Sequence, residues 1–500
     1  MVLGLILFAS PPIPNKVFMP KKSLPSDPNS YISSALLRKQ MYADLSSMYG
    51  SEVPLYDKLL ETNREINSQV AREHPEWSIS DNQLDQISAE RHGAIRLGKP
   101  EELNWISRFF AVLGMFPVNF YNLADAGAKS QPILGTAFRP LENPDQRMFC
   151  SLLVTDYFDS ATRKKIEKAL EKRAIISTEM KELIEIHEQQ NGLTCDQATA
   201  FRTAAKKLLG WSGKAFNYPL YRELCDQGFS IAADIACFPN PHLNHLTPNS
   251  LDIDRLYLEM KKRLGDANYY KKFSEKGMKD SIEGPPPPLN PDEALVFLRQ
   301  TAYKALPEEV RFETLDGQFD RTATHTARFG EIEQRGVAMT PKGRLLYDAA
   351  IKKAEAIDPK FPQENYTEYM HQYRLCFQGI PKTHAELQKQ GLAYYSYSIT
   401  EKGREAKKNG QIKSRKLDDL IENGFVSYTP IRYEDFLPVS AAGIFAANLN
   451  QYGTKSTAQS RPIYTKEHLE NAMGKKIWDS NELYAAQQDA SLQEVQRNIA

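Results

Sequence analysis

The tightest constraint on this chain lies between residues 91 and 114, where a strand-like run passes directly into a helix. Side chains two apart in a strand face the same way, so Arg91 to Leu97 places His92, Ala94 and Arg96 on one face. Lys99-Pro100-Glu101-Glu102 then reads as a helix start, with proline in the first turn and acids that complement the dipole. Leu103, Ile106, Phe110 and Leu113 share one face of this helix, and Gly114 ends it. Val118–Leu123, Gln131–Phe138 and Met148–Tyr157 read as three further strands, which gives a β-α-β-β-β order.

A second unit begins the same way. Cys237 to Thr247 predicts a histidine-bearing strand, and Leu251 to Leu264 the helix after it. The recurrence of a β-α start with histidine in its strand organises the rest of the chain. Residues 1–28 read as a flexible N-terminal extension, and 29–159 as a helical lead-in (Leu36, Leu37, Met41 and Leu45 at helical spacing) plus the first module. Residues 160–230, rich in Lys, Glu and Ala up to about Asp226, read as a helical insertion, and 231–340 as a second metal-binding module. Residues 341–500 read as a mixed C-terminal region that closes the site and ends in a polar helix from Asn481. Pro285–Pro288 is a stiff segment. Asn290-Pro291-Asp292-Glu293 has the pattern of a capping box and predicts a helix start. Thr324–Val337 reads as a hairpin or strand pair, followed by a helix from Lys342. Further on come a strand-like Gly424–Tyr433 and a Gly/Ala-rich stretch, Ala441–Ala447.

Composition excludes some functions. The 63 basic and 63 acidic residues cancel, which leaves no bulk electrostatic reason to bind nucleic acid or an anionic membrane. The apolar Val2–Ala9 is about half of a spanning helix and lacks a basic flank; Met19, before Pro20-Lys21-Lys22, reads as a plausible start of its own. The five cysteines include no C-x-x-C pair, against a zinc ribbon or iron–sulfur cluster, and are expected to be buried apolar thiols in a reducing cytoplasm.

Three short segments carry candidate chemistry. In Arg91–Leu97 a metal on His92 and a guanidinium reaching back from Arg96 can hold two ends of a small acid; the competing reading is a structural histidine beside a salt-bridging arginine. In Asn240-Pro241-His242-Leu243-Asn244-His245-Leu246-Thr247-Pro248 the prolines exclude a helix. The two histidines then take opposite faces of a strand, and His245, nearer the following helix, is preferred over His242. In Phe329-Gly330-Glu331-Ile332-Glu333-Gln334-Arg335 the side chains of Glu331, Glu333 and Arg335 share a face, so either acid can be a ligand and the face is a cavity wall or a solvated edge. Two imidazoles and a carboxylate from different strands make the facial triad of non-haem Fe(II) oxygenases. Zinc accepts the same ligands.

The motifs R-H-G-A-I-R-L-G, H-L-N-H-L-T-P-N-S-L-D-I-D, A-R-F-G-E-I-E-Q-R-G-V-A-M-T-P-K-G-R and F-L-P-V-S-A-A-G-I-F resemble the 2-oxoadipate dioxygenase/decarboxylase family of the vicinal oxygen chelate superfamily, over about Asn29 to Leu449. Phe329 to Arg335 is also similar, more distantly, to the F-x-E-x-x-Q-R ligand strand of 4-hydroxyphenylpyruvate dioxygenase. The resemblance implies an α+β fold of two βαβββ modules forming a cupped metal-binding sheet. It implies His92, His245 and Glu331 as ligands of Fe(II), Arg96 as a partner of the substrate, and Val439 as a backbone contact to it. Glu333, Arg335 and His242 remain candidates for groups that support the ligands. The implied reaction converts 2-oxoadipate, a small 2-oxo diacid, and O2 to 2-hydroxyglutarate and CO2, as in lysine catabolism. The alternatives are a zinc, nickel or manganese lyase or isomerase on the same scaffold, an iron dioxygenase for an aryl-pyruvate or catechol, and a non-catalytic metabolite-binding protein. Oligomeric state is not legible in the sequence.

Overall fold

The computed structural model describes residues 31–53, 55–77, 79–264, 284–290, 292–302, 307–314, 317–325, 331–357, 365–437 and 453–499. The N-terminal extension, Val439, the Ala441–Ala447 stretch and Phe329-Gly330 lie outside these residues.

The strand Arg91–Leu97 (β1) leads into the helix Pro100–Val112. Glu101 and Glu102 occupy the helix's first turn, and the Glu102 carboxylate accepts the Gly98 N–H at 2.7 Å. Gly114 takes φ +65° just past the helix, a conformation that costs glycine little. Three strands follow: Phe116–Asn122 (β2), Ile133–Arg139 (β3) and Gln146–Leu153 (β4). The β-α-β-β-β order therefore matches the sequence reading. The strands pair in the order β2-β3-β4-β1, with β1 parallel to β4 and the other pairs antiparallel.

Every residue of β1, β3 and β4 is buried. Such strands need cover on both faces. One face packs on Leu103, Ile106 and Phe110 of the helix, all in the larger apolar core. The other face carries His92 and Arg96, and polar side chains buried there need partners. The segment after residue 159 forms helices at Ser160–Leu170, Thr178–Gln190, Cys195–Leu209 and Tyr218–Asp226. These join the same core, with Phe201 stacked on Phe109 at 5.0 Å.

The second unit departs from its predicted form. Ser230–Cys237 is a helix, and only His245–Pro248 (β5) is strand. Pro239 and Pro241 offer no N–H to a ladder, which accounts for the irregular stretch between. β5 pairs antiparallel with β1, so the first sheet gains a fifth strand. After the helix Ile253–Leu264 come Leu298–Ala302 (β6) and, later, Glu331–Arg335 (β7), which pair antiparallel with each other. An Asn249–Glu333 bridge and a 2.7 Å bond from Ser250 N–H to the Glu333 carbonyl join β7 to the end of β5. Thr324–Val337 is not a hairpin. Phe319–His325 pairs with Glu308–Glu313 in another sheet, because alternation fixes faces but not partners. Asn290 and Glu293 cap a turn rather than a helix, accepting from Asp292 N–H and Leu289 N–H.

A second apolar core gathers the C-terminal part, including the strands Tyr395–Ile399 and Val426–Pro430 and the helix Ser480–Ile499. Of the five cysteines, Cys150 and Cys237 are buried and the others only partly so, all without disulfides. No described helix is long and apolar enough to cross a membrane.

His384 lies in this second region, its Nδ1 3.0 Å from the Tyr395 hydroxyl, and burial pushes its imidazole down to about 4. The unfolded chain, titrating near 6.5, then binds more protons than the native one between pH 6.5 and 4. Stability must fall as pH drops through that window, by about 3 kcal/mol from this group alone. Denaturant midpoints measured at pH 6.5 and 4.5 should converge markedly in His384→Asn; an unchanged pH slope would remove His384 as the cause.

Candidate metal centre

β1 and β5 bring the two histidines together. In their register Ala94 faces His245 and His92 faces Thr247, and directly opposed residues share a face. His92 and His245 are thus diagonal neighbours, with ring centroids 5.1 Å apart and planes at 83°. β7, tied to the end of β5, carries Glu331 to both. Its Oε1 lies 3.6 Å from His92 Nε2 and its Oε2 3.2 Å from His245 Nδ1. One ligand atom from each of the three falls within 4.8 Å of the others, and all three residues are buried.

Glu333, two residues on, has different company. Its Oε2 lies 2.9 Å from His92 Nδ1, and Arg335 grips both its oxygens at 2.8 Å. Arg335 is fixed in turn by the carbonyls of Tyr433 and Asp435, at 3.1 and 3.0 Å. A carboxylate beside Nδ1 favours the proton there and leaves the Nε2 lone pair directed at Glu331. Thr247 Oγ1 lies 3.0 Å from His245 Nδ1, and Phe436 packs edge-on against His92 at 5.0 Å.

The electrostatics separate the two acids. Burial pushes Glu333 upward, but Arg335 and His92 overrule it and hold the carboxylate far below its usual range. Burial also raises Glu331, opposed by His92. Among the described residues no lysine or arginine pairs with Glu331. Burial works against a charge on His92, yet the Glu333 and Glu331 carboxylates outweigh it and raise its pKa. Burial, reinforced by His92 and Arg96, holds His245 far below 6.5 and keeps it neutral, the form that ligates metals. Two imidazoles converging with a carboxylate that no described lysine or arginine pairs are a donor set for a divalent metal.

Of the remaining sequence candidates, Arg96 and His242 lie among the described residues. Arg96 lies on the His92 face of β1 and donates from Nη1 to Asp234 Oδ2 at 2.6 Å. His242 precedes β5 and sits with Asp234 and His325 in a separate buried group. Asp234, His325 and Thr247 were not among the sequence candidates. Asp234 had a legible signal, as the one acid in the otherwise apolar Ser-Ile-Ala-Ala-Asp-Ile-Ala-Cys of the Ser230–Cys237 helix.

Comparison with known proteins adds to this geometry. Residues 41–448 match the family model of 2-oxoadipate dioxygenase/decarboxylase. A 2-oxoadipate dioxygenase/decarboxylase of Pseudomonas putida is 40% identical over 93% of this chain and 97% of the relative. One from Escherichia coli is 38% identical over 92% and 98%. The crystal structure of hydroxyglutarate synthase from Pseudomonas putida in complex with 2-oxoadipate superposes with a TM-score of 0.79, at 36% identity over 94% of this chain and 99% of that one.

Proposed function

The chain belongs to the 2-oxoadipate dioxygenase/decarboxylase family, and from that premise we propose that it oxidises 2-oxoadipate with O2 at an Fe(II) ion held by His92, His245 and Glu331. The products are 2-hydroxyglutarate and CO2, which together contain every atom of 2-oxoadipate plus both atoms of O2. The single observation that carries the reading is the buried convergence of two imidazoles and a carboxylate that no described lysine or arginine pairs.

Iron held by His92, His245 and Glu331 would supply O2 activation and polarisation of the 2-oxo acid. The protein supplies the rest. Glu333, clamped by Arg335, orients His92 through Nδ1. Thr247 stands against His245. Phe436 covers His92 and keeps water from that side of the ring. Arg96 binds a substrate carboxylate, for which a planar guanidinium is better matched than an ammonium. In this reading residues 29–159 and 231–340 act as two modules that meet where β1 pairs with β5.

The test is oxygen uptake by the Fe(II)-loaded protein over a panel of C4 to C7 2-oxo diacids. 2-Oxoadipate should give the highest kcat/KM; a better C4, C5 or C7 substrate would overturn the substrate assignment. Arg96→Lys should raise KM for 2-oxoadipate about tenfold or more and leave bound iron unchanged, whereas an unaltered KM would take Arg96 out of substrate binding.

A further inference from the structure

Arg96 and Asp234 form an ion pair that is buried on both sides, with side chains 2% and 3% exposed. Arg96 takes one oxygen of Asp234, Oδ2. The other, Oδ1, lies 2.9 Å from His325 Nε2 and 3.3 Å from His242 Nε2. The two imidazoles are themselves confined. The Tyr221 hydroxyl lies 2.9 Å from His325 Nδ1. Trp211 stacks on the His325 ring, 5.9 Å away at 10°, and meets His242 edge-on at 4.8 Å.

Asp234 stands on a helix whose residues from Ile231 to Cys237 are all buried. An isolated carboxylate there would be costly to desolvate. Burial works against the charge, but His242 and then Arg96 outweigh it and hold Asp234 well below the usual carboxylate range. Two histidines and an aspartate also have the outline of a cation site. The Arg96 guanidinium already supplies the positive charge at 2.6 Å, and a divalent ion on Oδ1 would face it across one carboxylate. The cluster is better described as a clamp whose cation is Arg96.

The clamp points toward the metal centre. Arg96 shares a strand face with His92, and His245, opposite Ala94 on the paired strand, lies on that same face between them. A guanidinium is a rigid planar fork, so fixing the direction of one N–H fixes the rest. We propose that Asp234, braced by His242 and His325, is a positioning residue that aims the Arg96 guanidinium at the substrate carboxylate and so sets affinity for 2-oxoadipate. This rests on Arg96 binding substrate, as read above.

The experiment is anaerobic calorimetric titration of 2-oxoadipate into the metal-loaded protein, with steady-state KM and kcat and bound metal measured in parallel. The variants are Arg96→Lys, Asp234→Asn, their double, and Asp234→Glu. Asp234→Asn should raise Kd and KM about tenfold, the worth of a charge-assisted hydrogen bond. Metal content should be unchanged and kcat reduced less than KM is raised. Asp234→Glu should recover part of the affinity, and the double variant should bind no more weakly than Arg96→Lys alone. If Arg96→Lys weakens binding but Asp234→Asn does not, or if the two losses multiply in the double variant, the clamp is overturned. If Arg96→Lys leaves Kd unchanged, the assignment of Arg96 to substrate fails first and the clamp with it. Should Asp234→Asn not fold, His325→Phe keeps a ring against Trp211 and removes one donor to Asp234. It should raise Kd about threefold, and a wild-type Kd would count against the clamp.

Discussion

Glu331→Gln should yield a folded protein that no longer retains divalent metal and has lost more than about 100-fold of its turnover. Replacing groups that merely support a ligand costs 10–100-fold, and a direct ligand should exceed that. The reason lies in the charge arrangement. Glu331 is 2% exposed and touches His92 and His245 but no described lysine or arginine. A buried carboxylate in that setting is stabilised chiefly by a bound cation. The wild-type protein should therefore melt higher with saturating metal than without it, by the equivalent of about 3 kcal/mol at 100 times Kd. Glu331→Gln should abolish that increment while leaving the metal-free melting temperature within a few degrees. A metal-free protein that collapses on this substitution would mark Glu331 as structural instead.

Arg335→Met should be the most destabilising substitution near the centre. Arg335 grips both oxygens of Glu333, and the two side chains are 0% and 1% exposed. Removing one member of a buried pair leaves the other charge uncompensated, at a cost of about 3–5 kcal/mol. Arg335→Met with Glu333→Gln should recover much of that stability, because the stranded charge is gone. The double variant should still bind metal more weakly, since Glu333 no longer faces His92 Nδ1. Denaturant unfolding of the two singles and the double provides the cycle. Equal destabilisation in Arg335→Met and the double would contradict the account.

Much of the first unit was legible because its signals are local. Parity in Arg91–Leu97 and the Pro100-Glu101-Glu102 helix start depend only on neighbours in sequence; the bounds of this strand agree to the residue, and those of the other three shift by one to four residues. The second unit was less so. Pro239 and Pro241 shortened the strand that was read as Cys237–Thr247, and Phe319–His325 found its partner in a different sheet from β7. At the site, Glu331 and Glu333 share a strand face, so periodicity cannot separate them. What distinguishes them is tertiary: Glu333 meets His92 Nδ1, and Glu331 meets His245, more than eighty residues away in sequence. Asp234 and His325 were missed for the same reason. Each is ordinary in its own segment, and only the fold sets both beside Arg96 and His242.

The central claim is that these ligands hold iron for an O2-dependent decarboxylation. Its most direct test is a stoichiometric measurement of O2 consumed, CO2 released and 2-hydroxyglutarate formed from 2-oxoadipate, with Fe(II)-loaded and Zn(II)-loaded protein side by side. The account predicts a 1:1:1 ratio with iron, no turnover with zinc, and none with iron in His92→Ala. Equal turnover with zinc, or turnover with O2 excluded, would contradict it and identify a Lewis-acid lyase on the same scaffold.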